Sequence, residues 1–229
     1  GAIGGTVTAA SSGEPVGRIL VTALRVKADG SAVPVASAAT QSDGTYQVAG
    51  LFPGPYLLKF EAPGFRTTYY PAATDTAGAK QLTASTGSVT SGGDAVVIGL
   101  PATITGKVDF GDITEPITAT VSARLLGAPS DADAQAAVTI PDVSTTDDGT
   151  YTLRNLPAPG TYQLTFTAPG YEISTVQANV TGGANRFVSA AVLSAGNVQI
   201  TGTVTDGVNP LGGATVSLTV GGQQISTGT

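Results

Sequence analysis

Five aspartates, Asp131, Asp133, Asp142, Asp147 and Asp148, fall within one short stretch of the chain. Clustered carboxylate oxygens are what a calcium ion requires. Their spacing matches no EF-hand loop, and Asp148 already belongs to an Asp-Gly turn, so calcium here would stiffen a loop rather than react. Two carboxylates alone can also cleave a glycosidic bond when they face each other across it. The Asp and Glu residues of this chain fall in turns rather than at convergent core positions, so no catalytic pair is assigned and the chain is read as not an enzyme. Tyr69 and Tyr70 are the surface candidates for stacking on a sugar, with Phe110 and Phe187 behind them. Adjacent strand residues face opposite sides, so one tyrosine of the pair is expected in the core. No cofactor-binding residue and no other metal ligand is assigned.

The composition narrows the chemistry further. The chain has 229 residues, of which 41% are hydrophobic and 11% charged, with a net charge of −6. An average soluble protein has about 25% charged residues, so this surface must be largely Thr, Ser, Gln, Asn and Gly. There is no His, Cys, Met or Trp. Without His there is no Ser-His-Asp triad and no imidazole metal ligand. Without Cys there is no disulfide, thiolate zinc site or iron–sulfur cluster. The acidic balance opposes a nucleic-acid surface, which needs clustered Lys and Arg. No apolar stretch approaches the roughly 18 residues of a spanning helix, so no membrane insertion is expected in this segment. With no Met anywhere, Gly1 is read as something other than a natural start: a leader was removed, or this is a piece of a longer chain.

Internal repeats organise what remains. QSDGTYQVAGLFPGPYLLKFEAPGF (41–65) returns as TDDGTYTLRNLPAPGTYQLTFTAPGY (146–171). A second string opens each unit: IGGTV at 3–7, ITGKV at 104–108 and ITGTV at 200–204. A third follows it: PVGRILVTA (15–23), PITATVSA (116–123) and PLGGATVSL (210–218). The expected units are 1–100, 101–197, and the opening strands of an incomplete third at 198–229, which alone are too few to bury a core.

The local patterns are β. GGATVSLTV (212–220) places Ala214, Val216, Leu218 and Val220 on one face, a period of two. YLLKF (56–60) and YQLTF (162–166) do the same with Tyr56, Leu58, Phe60 and Tyr162, Leu164, Phe166 inward. ADAQAA (132–137) is the one stretch that reads as a helical turn. In the repeated block, Asp43-Gly44 and Asp148-Gly149 turn the chain. Tyr46 and Val48, or Tyr151 and Leu153, then point into a core that Leu51 or Leu156 plugs. Phe52-Pro53-Gly54-Pro55 is expected to return the chain antiparallel. Nine of the 13 Tyr and Phe residues lie in these two blocks, Phe52, Phe65 and Tyr171 included. They are read as core, each contributing roughly 1.5–3 kcal/mol when fully buried.

The opening ITGxV, the GATVSL strand and the DGxY…PGY block together resemble the carboxypeptidase regulatory-like domain family, and more loosely the collagen-adhesin B-type repeats. The stretch 66–97 is similar to the segment after PGY in bacterial secreted members, where an aromatic-Pro turn precedes two late strands. The resemblance implies an all-β chain of tandem Ig-like, transthyretin-like Greek-key sandwiches of about seven strands each. It also implies a non-catalytic, secreted or cell-surface bacterial module, found in tandem on adhesins, stalks and secreted enzymes.

Adhesin repeats of this shape carry Lys–Asn isopeptide bonds promoted by a buried Glu. The resemblance would make Lys107 the nucleophile and Asn179 or Asn197 the acceptor. The second unit has Thr167 where the first has Glu61, and IGGTV has no Lys. Lys107 is therefore read as a surface lysine and Glu61 as solvated. Short junctions at 100–103 and 194–197 leave little linker, so adjacent sandwiches should be held semi-rigidly end to end. Sheet edges with few charges are open to strand addition. The expected role is a stalk, spacer or filament unit whose partners are further domains of a longer chain or copies of itself. The alternative is an accessory module for a polysaccharide or a host protein.

Overall fold

The fold is that of a computed structural model, which describes residues 1–111, 117–127, 140–195, 201–220 and 223–228. The helical turn expected at 132–137 lies outside these residues, as do Asp131, Asp133 and Asn197. The chain divides into two compact units, Gly1–Ala195 and Gly196–Thr229.

The first unit holds two β-sandwiches. In the first, β1 (Ala2–Ala9) lies between β4 (Thr45–Val48) and β8 (Val89–Thr90), and β9 (Ala95–Val97) joins the second half of β1. The facing sheet runs β3 (Ala32–Ala39), β2 (Leu20–Val26), β5 (Gly54–Glu61), β6 (Thr68–Tyr69), with β7 (Leu82–Ala84) on the start of β5. The second sandwich repeats this with fewer breaks. One sheet is β13 (Thr150–Leu156), β10 (Ala102–Asp109), β16 (Asn185–Val192). The other is β12 (Val143–Ser144), β11 (Thr120–Leu126), β14 (Gly160–Thr167), β15 (Ser174–Val180). Thus β6 with β7 does the work of β15, and β8 with β9 that of β16. Each sandwich has seven strand positions. Its opening strand pairs antiparallel with the fourth and parallel with the last.

Alternation along the strands builds the cores. In β10, Ala102, Ile104, Gly106 and Val108 are buried while the residues between them are not. Tyr56, Leu58 and Phe60 of β5, and Tyr162, Leu164 and Phe166 of β14, are fully buried. The two halves of each repeated block lie in opposite sheets. The Phe52–Pro55 loop therefore carries the chain across the core rather than closing a hairpin. This crossing overturns one expectation. Leu51 plugs the core, which leaves the adjacent Phe52 on the other side, 72% exposed. Phe65 and Tyr171 pack partly buried against their cores.

In the second unit, Val216–Val220 pairs antiparallel with Gln223–Gly228 as β17 and β18. Thr201–Val204 forms no strand, and Val216 is 54% exposed. In the two sandwiches the opening strand is held between a fourth strand and a last one, and the described residues of this unit supply neither.

Candidate functional site

The residues that dominate the repeated motifs are occupied in packing. Gly106 of β10 lies opposite Tyr151 of β13, and a Cβ at Gly106 would come within 2.4 Å of the Tyr151 hydroxyl and 2.6 Å of its Cζ. Tyr151 stands edge-on to Phe166, ring centroids 5.5 Å apart, and Tyr46 stands so to Phe60 at 5.9 Å. The glycine of ITGxV thus leaves room for the tyrosine of DGxY. The Tyr46 hydroxyl donates to the Gly93 carbonyl at 2.5 Å, and the Tyr56 and Tyr162 hydroxyls donate to Phe52 and Pro157 carbonyls at 2.9 and 2.6 Å. Burial pushes the Tyr151 hydroxyl up to about 12 and raises those of Tyr46 and Tyr162 as well. These phenols stay neutral and structural.

A buried threonine escaped the sequence reading. Thr40 accepts from the Ile19 backbone N–H at 2.9 Å and donates to the Val16 carbonyl at 2.7 Å. Thr145 accepts from the Ala119 N–H at 2.9 Å in the second sandwich. A threonine immediately before each block, three residues ahead of its Asp-Gly, was the signal that could have found it.

The other sequence candidates are dispersed. Tyr70 packs against the first core, while Tyr69 pairs with Lys59 on β5 and is half-buried. Phe110 stacks edge-on with Tyr171 at 5.4 Å, and Phe187 is exposed on β16. Asp142 and Asp147 are exposed, and among the described residues no three His, Cys, Asp or Glu side chains are grouped to hold a metal ion. Asp148 accepts from Thr146 and Thr150 hydroxyls at 2.5 and 2.8 Å, which hold its carboxyl down at about 2, Lys107 adding a smaller pull. Lys107 is exposed on β10 beside this turn. Asn179 lies on β15 in the other sheet and accepts from the Thr161 hydroxyl at 2.8 Å. Glu61 pairs with Lys59 at 2.7 Å. Among the described residues, Lys107, Asn179 and Glu61 form no hydrogen bond or ion pair with one another.

Segments distant in sequence also converge where the two sandwiches meet. A Cβ built on Gly64 would lie 2.3 Å from the Gly182 carbonyl oxygen, and one on Gly99 would lie 1.9 Å from that of Ala158. Backbone bonds run from Leu100 N–H to the Gly64 carbonyl at 2.7 Å and from Gly183 N–H to the Leu100 carbonyl at 2.9 Å. The Ser11 hydroxyl donates to the Pro159 carbonyl at 2.6 Å. Beside these contacts lies a cleft of about 560 Å³ whose lining includes Ser12, Glu14, Leu126, Thr161 and Asn179. Glu14 is the one charged residue among its lining residues. A single carboxylate without a base or a second acid makes neither a triad nor a glycosidase pair. The geometry brings the backbones of the two sandwiches into direct contact.

A family model described as the carboxypeptidase regulatory-like domain matches residues 2–87 and again 86–193. The chain belongs to this family. The two carboxypeptidase regulatory-like matches span both sandwiches, so the repeated blocks are two copies of one domain. No curated protein matches the sequence. Among solved structures, the Bacillus anthracis TIE protein is similar at 13% identity and a TM-score of 0.38, over 85% of this chain and 34% of that one. The shaft pilin SpaA of Lactobacillus rhamnosus GG is similar at 12% identity and 0.32, over 87% of this chain and 99% of that one. A streptococcal ancillary pilin matches at 14% identity and 0.33, over 85% and 62%. Among the described residues no helix is long and apolar enough to cross a membrane.

Proposed function

We propose that this chain is a load-bearing segment of a secreted or cell-surface bacterial protein: a non-catalytic stalk in which tandem carboxypeptidase regulatory-like sandwiches act as a stiff spacer. Its repeats would run over 1–100 and 101–197, with a third opening at 198–229. The observation that carries this reading is the glycine-lined junction. Gly64 against Gly182 and Gly99 against Ala158 bring backbone to backbone, where no flexible side chain intervenes. Backbone bonds through Leu100 then tie the linker to both sandwiches.

The absence of Cys makes the test direct. Cysteines introduced at exposed Gln47 and Gln177, one in each sandwich, can carry spin labels. A single narrow distance distribution is expected; a broad or multi-peaked one would overturn the spacer. A pull-down on insoluble polysaccharide addresses the rival role. Retention of the monomer there would make the chain an accessory binding module instead.

A further inference from the structure

Both sandwiches are threaded the same way. The polypeptide enters along the first strand and leaves along the last, and these two strands are direct neighbours that run parallel: β1 with β8 and β9, and β10 with β16. Residues 98–101 lead from the end of β9 straight into the start of β10. A pull along the chain therefore runs through the first and last strands of each sandwich in turn, and the strands between them lie off its path. Parallel neighbours pulled from the start of one and the end of the other slide along each other. Their ladder bonds are evenly spaced, so they are loaded together and must fail together. Had the last strand run antiparallel to the first, its end would lie beside the first strand's start. The same pull would then peel the bonds away one at a time.

The two ladders are unequal. β10 and β16 are in register from Thr103 opposite Asn185 to Asp109 opposite Val192, with one shift between Gly106 and Val108. Backbone bonds from the Thr103 N–H to the Ala184 carbonyl and from the Leu193 N–H to the Asp109 carbonyl, both 2.9 Å, extend this ladder at each end. In the first sandwich the ladder covers Ala2–Ile3 and Val7–Ala9 and is broken between them. Side chains and single backbone bonds stitch the break. The Gly93 N–H donates to the Gly4 carbonyl at 3.1 Å, and the Thr6 N–H donates to the Asp94 carboxylate at 2.7 Å. The buried Tyr46 hydroxyl holds the Gly93 carbonyl from the core side.

We propose that the parallel pair of first and last strands is a shear clamp, and that tension opens the two sandwiches in order, the first with its interrupted ladder before the second. Under load the stalk lengthens by one sandwich while the other still holds. This deepens the load-bearing reading and rests on it. Forced unfolding is set by how fast the folded state comes apart, not by its equilibrium stability. The order under force therefore need not follow the order on heating.

Single-molecule force spectroscopy on the whole chain tests both parts. With no native Cys, handles attach only where cysteines are introduced. Handles at exposed Pro101 and Ser194 slide β10 along β16, whereas handles at Pro101 and exposed Asn185 part the adjacent starts of the same two strands. The sliding geometry should break at several-fold higher force than the parting one; equal forces overturn the clamp. Pulled from its two termini, the chain should show two sandwich-sized steps of about 300 Å each, at the roughly 3.3–3.6 Å that an extended residue spans. Asp94→Ala should lower the force of the earlier step alone, and Asp94→Asn, which keeps an acceptor for the Thr6 N–H, should retain most of it. A fall in the later step, or no change in either, overturns the proposed order. Equal forces in the two geometries with one narrow label distance would leave the stiff spacer standing without its clamp. A several-fold force difference with a broad label distance would keep the clamp and remove the spacer.

Discussion

At the scale of single residues, the repeat is governed by what sits opposite what. Gly106 has no unusual backbone angle, so its requirement is space for the Tyr151 ring alone. Gly106→Ala should destabilise the second sandwich by about 1–3 kcal/mol, the usual cost of overpacking. Tyr151→Val added to it should recover part of that loss, because the methyl then has a cavity to enter; urea unfolding of both variants checks this. Gly149 differs, since it needs both its φ of +80° and its approach to the Val108 carbonyl. Asp148 makes a separate prediction. Its carboxyl is held at about 2, below the roughly 3.9 of an unfolded aspartate. Its stabilisation is fully present above the unfolded value and is lost as pH falls through the folded one. Asp148→Asn should therefore unfold with a flatter pH dependence between those two values than the wild type, and acid titrations of the urea midpoint measure it.

At the scale of elements, the buried threonine clamps where the second strand begins to the segment leading into the turn. Thr40→Val keeps the volume but leaves the Ile19 N–H and the Val16 carbonyl without their partner. Unsatisfied buried groups of this kind cost about 1–3 kcal/mol each. Thr40→Val and Thr145→Val should each lower the melting temperature of the whole chain. Thr40→Ser should hold most of it, which calorimetry can follow. The strand pattern around these clamps was legible because a period of two with Tyr, Leu and Phe inward leaves a sheet one buried face. Phe52 was misplaced because a residue at a crossing between sheets belongs to neither alternation. Hydrophobicity alone then says nothing of its side.

At the scale of the molecule, the proposed stiffness rests on small residues far apart in sequence. Gly182→Thr places at the junction the residue type that the first repeat carries at that position, Thr86. It should leave each sandwich folded while broadening the inter-sandwich label distances, because a Cβ there would meet the Gly64 carbonyl oxygen at 1.9 Å. Gly99→Val should act alike through Ala158. A narrow distribution in both variants would mean that backbone proximity is not what stiffens the pair.

What the residues determined by themselves is the sandwich: strand periodicity, turn chemistry and the duplicated block depend on neighbours in sequence, and the same arrangement follows twice from the same letters. The dispersal of Lys107, Asn179 and Glu61, the half-buried place of Tyr69, and the pairing of Gly64 with Gly182 were decided only in three dimensions. Those depend on which sheet each strand joins and which ends of two domains meet. Distances across a core or between domains are set by packing, and a linear pattern carries no record of them.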